Sequence, residues 1–77
     1  MAQVSIQYAL EHQLKHMEAI TIRNELTRLQ GVNLVSVNAK EGLLCVDFDD
    51  QNLSMEDIEH DMTVLGHPVM MIDCIIF

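Results

Sequence analysis

Positive charge is what this chain has least of: 4 Lys and Arg stand against 12 Asp and Glu in 77 residues, a formal net charge of −8. A nucleic-acid surface needs clustered Lys and Arg, often interleaved with stacking aromatics, and one Tyr, two Phe and no Trp supply neither. Cations or a basic protein patch are the more natural partners. No apolar run approaches the ~20 residues of a membrane span, and no basic-then-apolar leader opens the chain. The expectation is a soluble, cytoplasmic protein with no direct membrane insertion. Two cysteines, Cys45 and Cys74, are too few for a secreted disulfide scaffold and do not form a Cys-x-x-Cys pair, so they are read as reduced thiols. With three glycines, one proline and no low-complexity stretch, nothing divides the chain, and residues 1–77 are read as one domain. A domain of this size buries only about 60% of its unfolded surface, so it folds economically or shares surface with a partner.

Catalytic machinery is also missing. Ser54 is accounted for as a helix cap, Ser36 falls in mid-strand, and neither they nor Ser5 has the context of a triad. The three glycines fall at helix ends or a turn, which leaves no phosphate-cradling loop. The chain is not read as an enzyme.

The polar and apolar pattern present is informative. From Gln3 to Leu10, Val4, Ile6, Tyr8 and Leu10 alternate with polar or small residues, the period of a half-buried strand. Ala19, Ile22, Leu26 and Leu29 recur at helical spacing up to Gly31, which predicts a helix beginning between Lys15 and Ile20. Val32–Val37 and Leu43–Phe48 read as strands joined by a short polar connection ending in Gly42. Ser54 with Asp57 forms a capping-box start, Leu53 and Ile58 stand at staple positions, and a second helix runs through Met62 and Leu65 to Gly66. After Pro68 the chain is apolar from Val69 to Phe77 except at Asp73, a fourth strand. The order strand, helix, strand, strand, helix, strand, with right-handed crossovers, predicts an α+β, ferredoxin-like βαββαβ sandwich: a four-stranded antiparallel sheet with two helices on one face.

Gly31-Val32-Asn33-Leu34-Val35-Ser36-Val37-Asn38, then Gly42 to Asp49, then Ser54 at a helix start, then Leu65-Gly66-His67-Pro68, follow one another at specific spacing. In this the sequence from about residue 3 to 70 resembles the heavy-metal-associated (HMA) domain family of copper chaperones and of the N-terminal domains of metal-transporting P-type ATPases. The resemblance implies that fold and a role in metal homeostasis, with a metal ion or a metal transporter as partner. Family members that bind soft metal carry Met-x-Cys-x-x-Cys between the first strand and first helix. Counting back from Gly31 puts those cysteines at Lys15 and Glu18, neither of which is a thiolate.

In the replacement loop, His12 and His16 would share a face if the segment were helical, and imidazole suits zinc, nickel, cobalt or divalent copper. The resemblance places His67 in the loop beside the metal site, so that His16, His67 and one of His12, Glu18 or Met17 would form a site; Lys15 opposes it by charge. The alternative is that His12 and His16 are solvated and His67 fills an aromatic slot. Other methionines, such as Met62 in the helical stripe, read as core filler.

In the expected fold Ile6, Tyr8, Val35, Val37, Leu44, Val46, Phe48, Val69 and Met71 face the helices. The opposite face then carries Leu34, Leu43, Cys45, Met70, Ile72, Cys74 and Ile76, an apolar set large enough to invite coverage. The last strand, at a sheet edge, and this open face are expected to form an interface, in the simplest form a homodimer. The leading reading is an HMA-like domain that binds a divalent metal through histidine or regulates a metal transporter; the alternative is a metal-free interaction or dimerisation module on the same fold.

Overall fold

In a computed structural model, residues 3–76 are described. The order is β1 (Gln3–Leu10), α1 (His16–Thr27), β2 (Val32–Asn38), β3 (Leu43–Asp49), α2 (Met55–Val64) and β4 (Val69–Ile76). All neighbouring strands pair antiparallel in the spatial order β2-β3-β1-β4, the ferredoxin-like arrangement. Phe77, expected to end the last strand, lies outside the described residues.

Each element forms where local chemistry directs it. In β1 the buried residues are Val4, Ile6 and Tyr8, the odd members of the alternation facing away. The Ser54 Oγ accepts the Asp57 N–H at 3.3 Å while the Asp57 carboxylate accepts the Ser54 N–H at 3.1 Å, so two of the orphan donors at the start of α2 are satisfied reciprocally. Leu53 and Ile58 flank that cap and are both buried. Ile22 and Leu26 of α1, Ile58 and Met62 of α2, and the inward residues of the first three strands form one core, which puts both helices on the same sheet face.

β4 departs from the expected pattern. Tyr8 pairs with Met71 but Gln7 pairs with Asp73, so Ile72 is an extra residue in a bulge. Beyond the bulge the parity of the strand reverses: Cys74 stands opposite the inward Ile6 and Ile76 opposite the inward Val4, while Asp73 and Ile75 stand opposite Gln7 and Ser5 on the open face. Cys74 and Ile76 therefore belong to the helix side, not to the open face with Cys45 and Met70. Met71, expected in the core, lies on the helix side but stays 48% exposed, because β4 is the edge strand and, among its described residues, Val69 is the one packed against the core. With one thiol on each side of the sheet and β1 between their strands, Cys45 and Cys74 are both free.

Tyr8 is fully buried and its hydroxyl donates to Glu59 Oε2 of α2 at 3.3 Å. Burial, and then the negative charge of Glu59, hold its ionisation well above the ordinary phenol range. The folded state thus keeps a proton that the unfolded chain releases near pH 10, so this contribution to stability is complete below about pH 10 and is lost as pH rises further. Melting temperature is expected to fall as pH is raised above about 10, and Tyr8→Phe is expected to lessen that fall while costing about 1 kcal/mol at neutral pH. Circular dichroism melts of both chains across this range provide the check.

Candidate metal centre

The loop between β1 and α1 is held from below by the β2–β3 hairpin. The Leu10 N–H donates to the Gly42 carbonyl at 2.8 Å and the Leu14 N–H to the Ala39 carbonyl at 2.9 Å. Gly42 has φ +66°, and a Cβ there would come within 3.1 Å of the His12 carbonyl oxygen, so both conformation and space favour glycine beneath this loop. Leu14 packs against the core and ties the loop's centre down. The chain then enters α1 at His16, and the Glu18 Oε1 accepts the Lys15 N–H at 2.8 Å. A carboxylate in the first turn also complements the positive end of the helix.

The second wall comes from the end of α2. The Gly66 N–H donates to the Thr63 carbonyl at 3.0 Å and the His67 N–H to the Met62 carbonyl at 2.9 Å, the paired bonds of a Schellman ending, with Gly66 at φ +87°. This ending aims His67 back at the start of α1. Its Nε2 lies 3.8 Å from Glu18 Oε2, with His67 only 24% exposed at its side chain. Both residues line a cavity of about 250 Å³, which Glu11 and His12 also line, over Leu14 and Pro68.

A separation of 3.8 Å is too long for a hydrogen bond. Two donors sharing a tetrahedral ion at bonds of about 2.0–2.1 Å stand about 3.3 Å apart, so a shift of half an ångström would suit an ion between Glu18 and His67. Among the described residues no three His, Cys, Asp or Glu side chains converge closely enough to hold a metal ion as they stand. A third donor would come from His12 or Glu11, both exposed on the loop and both lining the same cavity.

Sequence reasoning grouped His12 with His16 by helical spacing, but residues 12–15 are not helical and α1 starts at His16. His16 lines a separate trough with Arg23, whose guanidinium repels a cation, and Met17 is 69% exposed and lines neither cavity. Glu11 escaped notice; the available signal was its place next to His12 at the end of the first strand. The donor set of imidazole and carboxylate fits zinc, nickel, cobalt or divalent copper and lacks the thiolates that suit monovalent copper or mercury.

No family model and no curated protein sequence matches the chain. Solved structures do resemble it. Oxidized MerP from Ralstonia metallidurans CH34 superposes with a TM-score of 0.84 at 18% identity, over 92% of this chain and 99% of that one. The N-terminal domain of a potential copper-translocating P-type ATPase from Bacillus subtilis, in its Cu(I)-loaded state, gives 0.86 at 19% identity over 97% and 92%. The Atx1-Cu(I)-Ccc2a complex gives 0.80 at 16% over 91% and 96%. At such identities the likeness establishes the fold, and it is the fold the HMA resemblance implied.

Replacing Glu18 by Ala removes the acceptor of the Lys15 N–H and is expected to cost about 1 kcal/mol, as loss of a helix cap does. Glu18→Gln keeps an acceptor and should cost less. Denaturant unfolding, with amide exchange at Lys15, distinguishes the two.

Proposed function

We propose that this chain is a non-catalytic HMA-fold domain of metal homeostasis that takes a divalent transition metal between His67 and Glu18, with His12 or Glu11 completing the ligand set. The observation that carries the reading is the 3.8 Å approach of His67 Nε2 to Glu18 Oε2 in a cavity that also presents His12 and Glu11. Support for a role in metal homeostasis comes from the structures it resembles, which include a Cu(I)-loaded ATPase domain and a Cu(I) complex of two proteins. Their copper does not transfer to this chain, because Lys15 and Glu18 stand where the soft-metal loop has cysteines. In a reducing cytoplasm, Cys45 and Cys74 remain thiols away from the cavity.

The chemistry is reversible coordination. Glu18 supplies negative charge, His67 a borderline nitrogen donor held by the end of α2, and the loop residues close over the ion. Their ordering has an entropic cost, of about 0.5–1.5 kcal/mol per side chain, so affinity is moderate. A second reading, a metal-free protein-interaction module, is favoured by one observation: the Glu18 carboxylate already serves α1 by accepting the Lys15 N–H at 2.8 Å, a structural role that needs no metal.

Titration of zinc, nickel and divalent copper into isotopically labelled protein, followed by amide and imidazole NMR signals, tests the proposal. Saturable 1:1 shifts are expected at residues 11–18 and around His67, weakening on acidification because imidazole binds metal only when neutral. His67→Ala, which removes a direct ligand, is expected to weaken binding by more than about 100-fold, the upper end of what loss of an outer-shell partner costs. His16→Ala should leave it unchanged. Absence of any saturable shift at tens of micromolar metal overturns the metal reading and leaves the interaction module.

A further inference from the structure

β4 is the element that the fold leaves least covered. It is an edge strand, and every residue from Met70 to Ile76 is exposed, with Met70 at 73% and Ile76 at 69%. An edge of this length that is apolar and unpaired is a template for another strand. The bulge at Ile72 gives its two faces different chemistry. On the helix side, Cys74 and Ile76 join Val4, Phe48, Leu53 and Met55 around a groove of about 260 Å³. On the open face stands Asp73, the single charge in the strand, whose Oδ1 accepts the Cys74 N–H at 2.9 Å.

The charge distribution selects the occupant. All four basic residues lie at or before Lys40, whereas nine of the twelve acidic ones follow it, so residues 41–77 carry nine formal negative charges and no positive one. That segment supplies β3, α2 and β4. A second copy docked along β4 would bring two such halves together. Asp73 lies near the middle of the strand, so antiparallel pairing over its full length sets the two Asp73 side chains opposite or beside one another, which is destabilising. A segment of opposite charge meets attraction in both respects.

We propose that the free edge of β4 receives an extended basic segment of a partner protein. Its alternate apolar side chains enter the groove beside Cys74 and Ile76, and its intervening Lys or Arg side chains lie against Asp73. The period-2 alternation of a strand matches the two faces of the edge. A shallow trough of about 150 Å³ at the start of β4 includes Glu11, a further carboxylate along the same path. This inference does not rest on the metal reading: it needs neither His67 nor Glu18, and Glu11, which lines both cavities, is not required for the contacts at Asp73, Cys74 and Ile76.

The test uses an eight-residue peptide of alternating valine and lysine, and its counterpart with glutamate for lysine, titrated into the isotopically labelled full chain. The lysine peptide is expected to give saturable 1:1 shifts at amides 70–76, reduced by salt. Asp73→Asn should weaken it about threefold, the scale of one exposed ion pair, and Asp73→Lys should transfer the preference to the glutamate peptide. The native fold of each exposed-site variant is read from the same spectra. Equal binding of both peptides, no binding of either, or shifts confined to α2 overturn the proposal. A dimer in sedimentation velocity at tens of micromolar, with amides 70–76 protected from exchange, overturns it in favour of a second copy.

Discussion

The structure depends on the pairing of β1 along both of its edges. It is the strand that joins β3 to β4, and the inward side of its alternation puts Val4, Ile6 and Tyr8 at the centre of the core. Both helices lie over those residues, and its last residue, Leu10, makes the backbone bond to Gly42 from which the site loop departs. A one-residue slip along this strand would turn that inward face to solvent and displace the loop at the same time. Parity at β1 is thus the constraint from which core, sheet and site all follow.

The site is built from chain endings rather than from the sheet. One wall is the start of α1, where Glu18 satisfies the Lys15 N–H; the other is the end of α2, where the bonds of Gly66 and His67 to the preceding carbonyls aim the imidazole across the gap. Helix ends leave backbone groups that need partners, and the residues that meet this need are the ones that bring Glu18 and His67 to 3.8 Å. The same contacts hold the loop and set the separation of the two side chains. The cavity is lined by carboxylate and imidazole side chains and by no thiol, the ligand type that suits soft metals.

Charge and edge exposure divide the molecule in another way. The half carrying α1 and β2 is close to neutral, with four basic against three acidic residues through Lys40, while the half carrying β3, α2 and β4 is uniformly acidic. An edge strand with a carboxylate at its middle resists pairing with itself and leaves pairing with a basic strand open, a form of selection by charge known from sheet edges generally. The cavity between Glu18 and His67 and the β4 edge meet at Glu11 and Pro68, which line both that cavity and the adjacent trough.

Residues whose neighbours in sequence decide their role were legible in advance. The alternation Val4, Ile6, Tyr8 specified β1 and its inward face; Ser54 and Asp57 specified the start of α2; Gly66 marked its end; and together these carried the element order and the fold. Local rules suffice there because caps and alternation are satisfied within a few residues. Gly31 does not cap α1 as its position suggested: the helix stops at Thr27 with Arg28 as its cap, and Gly31, at φ +104°, belongs to the turn into β2. The composition of β4 offers no such marker. With apolar residues at nearly every position, either parity buries something, and pairing with β1 decides that Ile72 bulges and that Cys74 and Ile76 cross to the helix side. The site divides the same way. The sequence by itself determined that the loop before α1 holds no cysteine and that histidine and carboxylate stand there; only the tertiary structure decided that His67 and Glu18 approach one another while His16 lines a separate trough with Arg23, because those positions are set by two helix ends far apart in the chain.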